Sequence, residues 1–170
     1  MISMKLRYAI LTLGMIGLLF TGCDLFEQRN RTFDDDPLIE FFPTSATVSE
    51  SDLDANSVGS TAVPIEIQLI GPQRGSELPV SFSALTPEDT SLSAPNVEVA
   101  EEGVHYNIQS TSATIADSSS QTTVSVEVLN NDMDDGGTNY ILFLDLQDSE
   151  EVAAAENLDR YTLTILGADE

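Results

Sequence analysis

One cysteine, one histidine and 29 carboxylates make up the reactive side chains of this 170-residue sequence. A serine–histidine–aspartate triad needs an imidazole base, and His105 is the single histidine. No Gly-x-Ser-x-Gly turn is present to raise a nucleophile beside it. His105 stands next to Tyr106 and reads as a structural or surface side chain. Zinc sites draw on several thiolates and imidazoles, and one of each falls short. Paired carboxylates are the one catalytic arrangement that the composition leaves open, as in glycoside hydrolysis. A small carboxylate-based hydrolase therefore stays as an alternative. Tryptophan is absent and aromatics are 6% of residues, which weakens any sugar-stacking platform. The inventory favours a protein that is not an enzyme, with no catalytic residues.

The cysteine has a distinctive setting. Lys5 and Arg7 open the chain, Tyr8 to Phe20 is mostly apolar, and Thr21-Gly22-Cys23 follows. A positive start, a short apolar core and small residues before a break describe a secretory signal peptide. The apolar stretch is shorter than the roughly 20 residues that a membrane-spanning helix needs. Phe20-Thr21-Gly22-Cys23 resembles the lipobox of bacterial lipoproteins, with Phe20 where that pattern prefers Leu, Val or Ile. The resemblance implies cleavage before Cys23 and acylation of that residue. Each buried acyl methylene then contributes about 0.8 kcal/mol to membrane anchoring. The alternative is an ordinary cleaved signal peptide with a stray cysteine. The expected partition is residues 1–22 signal peptide, 23–37 lipidated cysteine and tether, 38–167 folded domain, and 168–170 tail. The expected place is the cell envelope, at the outer membrane, with the membrane itself as a partner through Cys23.

Charge narrows the other partners. The net charge is -23, and Lys5 is the only lysine. After residue 22, four arginines face all 29 acids, a net charge of -25. Such a surface repels nucleic-acid phosphates and anionic lipid head groups, so nucleic acid is excluded as a partner. A protein or a glycan remains.

The elements that must position any site follow a period of two. Val63, Ile65, Ile67 and Leu69 alternate with polar residues or proline. So do Leu78, Val80, Phe82 and Ala84; Val124, Val126 and Val128; and Tyr161, Leu163 and Ile165. Side chains alternate across a strand, so each run has one apolar and one wet face. Asn139 to Gln147 is apolar on both faces over its first half, as in a central strand. Shorter candidates are residues 39–42, 46–49, 96–99 and 111–116. Gly, Pro, Asp and Ser cluster between them. Glu150 to Leu158 is the one helix-like piece, a single turn or a loop. The pattern predicts an all-β protein, an antiparallel immunoglobulin-like β-sandwich of about seven to eight strands.

The order of motifs resembles Calx-beta domains. SATVSES (Ser45 to Ser51) resembles the family's first strand, and VPIEIQLIG and LPVSFSAL the next two. EEGVHYNI (Glu101 to Ile108) is similar to its Gly-x-Asp-Tyr stretch, with Tyr106 in the tyrosine place. NYILFLDLQ and RYTLTILG match the last two strands. The resemblance implies a sandwich and, as cofactor, possible calcium, held by loops at one end. Carried over, the ligand candidates are Glu50, Glu101, Glu102, Asp132, Asp134 and Asp135. Calcium takes about six to eight oxygens, so carboxylates converging from three loops make chemical sense. His105 stands where the family has Asp, and Gly137 and Thr138 where it has Glu, so expected oxygens are missing. Asp132 to Phe143 is no EF-hand loop, because Gly136 takes the fifth place and Phe143 the twelfth. The leading expectation is a lipid-anchored, extracytoplasmic, non-catalytic module that presents a β-sandwich to a protein or glycan. A calcium-binding adhesion or spacer domain is the first alternative.

Overall fold

The computed structural model describes residues 36–49, 59–90, 92–129 and 137–167. Their eleven strands form two sheets. The strands are β1 (Leu38–Phe41), β2 (Ser45–Ser49), β3 (Ser60–Ile70), β4 (Leu78–Ala84), β5 (Val97–Val99) and β6 (Tyr106–Ile108). They continue with β7 (Ser112–Ile115), β8 (Gln121–Leu129), β9 (Asn139–Leu146), β10 (Ala153–Ala154) and β11 (Arg160–Leu166). One sheet runs β10-β1-β3-β8-β6 and the other β2-β11-β9-β4-β7, with β5 added beside the start of β9. No helix occurs among the described residues. The all-β sandwich expected from the alternating pattern is the fold of the chain.

Alternation explains the layers. Val63, Ile65, Ile67 and Leu69 of β3 are buried, and so are Val124, Val126 and Val128 of β8, and Tyr161, Leu163 and Ile165 of β11. These inner faces meet in one apolar core. Phe41 of the first sheet and Tyr161 of the second touch across it, with ring centroids 5.6 Å apart at a 56° tilt. Three strands beyond the expected number are short. The opening strand is split: β1 pairs with β3 in one sheet, and after Phe42-Pro43-Thr44 β2 pairs with β11 in the other. β10 and β5 are two and three residues long.

Most pairings are antiparallel, but β1–β10, β2–β11 and β5–β9 are parallel. Glu150 to Leu158 is not a helical turn. Ser149 Oγ accepts from the Val152 amide at 3.1 Å, Val152 enters the core, and Ala153–Ala154 lie along β1. β9 does sit centrally in its sheet, between β11 and β4. Its faces differ, however: Leu142 and Leu144 are buried, while Ile141, Phe143 and Asp145 are half-buried. Arg160 covers that outer side, with its guanidinium 5.7 Å from the Phe143 ring centre and bonded to both Asp145 oxygens at 2.7 and 2.8 Å.

Candidate functional site

Two places gather polar side chains. The first is a groove of about 710 Å³ on the outer side of the first sheet. Its floor is the wet face of β8, where Thr123 and Ser125 are exposed and Glu127 is half-buried. Ser60, Thr61 and Ala62 of β3 form one side. Gln109, Ser110, Ser112 and Ala113 form the other, where the chain bends from β6 into β7. Ser60 Oγ donates to Glu127 Oε1 at 2.9 Å and fixes that carboxylate's direction. Hydroxyls, one amide and one carboxylate offer hydrogen bonds without an aromatic platform. Glu127 is the single acid in the lining, so two-carboxylate hydrolysis has no second acid within this groove.

Sequence reasoning did not assign these residues a role. The signal present was the polar alternation of TTVSVEVL, which marks a wet face. What makes the face a groove is the approach of residues 109–113, which are distant in sequence.

The second place is the end of the sandwich that carries the candidate calcium residues. Glu101 and Glu102 are exposed on the turn before β6. Gly103 takes φ +81° there, and its amide donates to the Tyr106 carbonyl at 2.8 Å. His105 is not at the surface. It is buried, stacks on Tyr140 with ring centres 3.8 Å apart, and accepts from the Glu101 amide at Nδ1 at 3.0 Å. That bond leaves Nε2 to carry the proton of the neutral ring. His105 therefore buttresses the turn from inside. Burial pushes the neighbouring Tyr106 phenol up to about 12, and the Glu102 charge adds to the shift.

Strand ends converge on this turn. Leu129, the last residue of β8, donates its amide to the His105 carbonyl at 2.8 Å, immediately before the segment with Asp132, Asp134 and Asp135. β2 ends at Ser49, opposite Leu166, and Ile165 lies opposite Tyr140. Glu50 is the next residue. Glu50, Asp132, Asp134 and Asp135 themselves lie outside the described residues, as do Cys23, residues 1–35 and the tail. Among the described residues no three acids, histidines or cysteines cluster in a metal-binding arrangement. Glu101 and Glu102 do not make a site by themselves.

No family model and no curated protein matches the chain. Solved structures do. The chain is similar to a proposed carbohydrate-binding protein from Bacteroides ovatus, with 15% identity and a TM-score of 0.61 over 78% of this chain and 38% of that one. It is similar to the apo form of the Calx CBD1 domain, at 16% identity and a TM-score of 0.57, over 79% of this chain and all of that domain. A third is the calcium binding domain CBD12 of CALX1.1, at 16% identity and a TM-score of 0.55, over 78% of this chain and 46% of that one. This chain thus spans well under half of the Bacteroides protein and the whole of CBD1. At these identities the likeness is one of fold, and the fold is Calx-beta-like.

Proposed function

We propose that this Calx-beta-like β-sandwich is a lipid-anchored, extracytoplasmic contact module that performs no catalysis. In this reading Cys23 is acylated after removal of residues 1–22, residues 23–37 are a tether, and the domain of residues 38–167 stands off the outer membrane. The observation that carries the contact role is the solvent-open groove beside β8, with its hydroxyls and the anchored Glu127 carboxylate. Such a lining binds a protein segment or a glycan through directional hydrogen bonds. The resemblance of the fold to a proposed carbohydrate-binding protein supports the same class of role.

Two measurements test this. Mass spectrometry of the membrane-extracted protein is expected to show an acylated Cys23 as the first residue; an intact, unmodified N-terminus overturns the anchor. Filling the groove with Ser125→Tyr is expected to abolish ligand capture while the fold persists. Capture that survives this change moves the contact surface elsewhere.

Calcium is the second reading, favoured by the convergence of the ends of β2 and β8 on the Glu101–Glu102 turn. The proposed ligands are Glu50, Glu101, Glu102, Asp132, Asp134 and Asp135. Millimolar calcium at low salt is then expected to raise the melting temperature of the full chain, and Glu101→Gln with Glu102→Gln to reduce that rise. Equal melting temperatures with calcium and with magnesium would dispose of the site.

A further inference from the structure

A strand at the edge of a sheet leaves main-chain N–H and C=O groups unpaired, and proteins blunt such edges with proline, charge, brevity or cover. Most edges of the described sandwich are blunted. Along β3, β1 reaches only Ile67 to Ile70, and the Phe42 amide then donates to the Glu66 carbonyl at 3.1 Å. Backbone groups alternate between the two sides of a strand, so the next residue that faces this way is Pro64, which has no N–H. On β10 the Ala155 amide bonds to Ile39 of β1, so the Ala154 amide points outward, and it donates to Asp148 Oδ1 at 2.9 Å. β6 is three residues long, and β7 packs against β8.

β2 has none of these guards. It ends its sheet, and among the described residues β11 is the one strand that packs along it. The Thr162 amide donates to the Thr44 carbonyl at 2.9 Å, and the parallel register then turns the backbone groups of Ala46 and Val48 to β11. Ser45 and Thr47 therefore turn N–H and C=O outward. Both are exposed, and among the described residues no backbone group bonds to them from that side. Ser45 to Ser49 holds no proline, no glycine and no charge.

We propose that the outer edge of β2 takes an extended segment of a partner protein as an added strand, one that alternates apolar residues with lysine or arginine. This surface is separate from the groove over β8 and does not depend on it. A strand edge offers donor and acceptor in a two-residue repeat, which a peptide main chain matches and a sugar ring does not. Five residues of edge span about 17 Å, enough for a short segment. The two faces of β2 set the alternation. Val48 is buried and Ala46 packs against the core, so side chains of the added strand on that face meet apolar neighbours. Ser45 and Thr47 lie on the wet face. Charge selects the residues there. After residue 22 the chain carries -25, and the two arginines of the described domain are already paired, Arg74 with Glu151 and Arg160 with Asp145. A basic segment is drawn to such a surface, whereas a second copy of the chain is repelled.

The test adds an octapeptide of alternating lysine and valine to the full chain in detergent. Its backbone N-methylated counterpart, which keeps the charge and loses the donors, is the parallel probe. The plain peptide is expected to bind and to slow hydrogen exchange at the Ser45 and Thr47 amides, and the methylated one to do neither. Thr47→Pro removes an amide that β11 does not use, and is expected to weaken the plain peptide at least about tenfold, the worth of one good hydrogen bond. Far-UV circular dichroism and thermal unfolding confirm that the variant folds, and exchange in the unaltered chain tests the edge without any variant. Equal binding of the two peptides shows attraction by charge alone and overturns the proposal. So does an excess of the plain peptide that leaves both amides unprotected, or binding that Thr47→Pro retains in full. Protection of these amides that rises with protein concentration in the absence of peptide assigns the edge to a second copy and overturns it too. None of these outcomes touches the groove, which Ser125→Tyr tests by itself.

Discussion

Gly103 and Tyr106 show how single residues build the calcium-candidate end. At φ +81° a side chain is strained even where space is open, and nothing lies within 4 Å of a Cβ placed on Gly103. Gly103→Ala is thus expected to cost about 1–2 kcal/mol through backbone conformation alone, read as a lower denaturant midpoint with an unchanged slope. Tyr106 carries a pH signature. Its phenol ionises near 10 in the unfolded chain and at about 12 in the folded one. Below pH 10 both states hold the proton, and above it the unfolded state loses it first. Stability is therefore expected to fall between pH 10 and 12, by about 2–3 kcal/mol for a shift of this size. Tyr161, also pushed up by burial, adds in the same direction. Tyr106→Phe is expected to flatten part of that fall in alkaline unfolding curves, and an unchanged slope would contradict the assignment. The identity of His105 was readable at once, but its role was not: only the stack on Tyr140 and the bond from the Glu101 amide define it.

At the scale of elements, β11 is the seam of its sheet, paired with β2 on one side and β9 on the other. Leu163 at its centre is fully buried opposite Leu142 and Ala46. Leu163→Ala removes its contacts and leaves a cavity, with an expected loss of about 2–5 kcal/mol in chemical denaturation. That is a large part of the roughly 5–15 kcal/mol of a typical domain. The long strands β3, β4, β8, β9 and β11 were legible because burial on one face enforces a period of two. The pieces that escaped are those whose partner decides them. Ala153–Ala154 has no strand pattern of its own and becomes β10 only because β1 lies alongside. β9 looked apolar on both faces because Phe143 has a polar cover, Arg160, that neither period nor hydropathy announces.

For the whole molecule, charge is the governing quantity. The sequence carries -23 overall, and both arginines of the described domain are held in surface ion pairs. Each such pair contributes only about 0.2–1 kcal/mol. Repulsion among the remaining carboxylates opposes the compact state and is screened as ionic strength rises. The melting temperature of the full chain is therefore expected to increase from about 10 mM to 500 mM sodium chloride, with potassium chloride giving the same rise. A flat or falling curve would show that the acids are spaced too widely to repel.

The sequence by itself determined the fold class, because alternation of apolar and polar residues along a strand leaves two packed sheets as the way to bury one face of each. It also set the net charge, which is a property of composition. The tertiary structure alone decided where a ligand has room. The groove over β8 exists because β6 stops at Ile108 and Ser110 turns the chain past β8 toward β4. Pairing between distant segments follows from their relative placement, which no local pattern encodes.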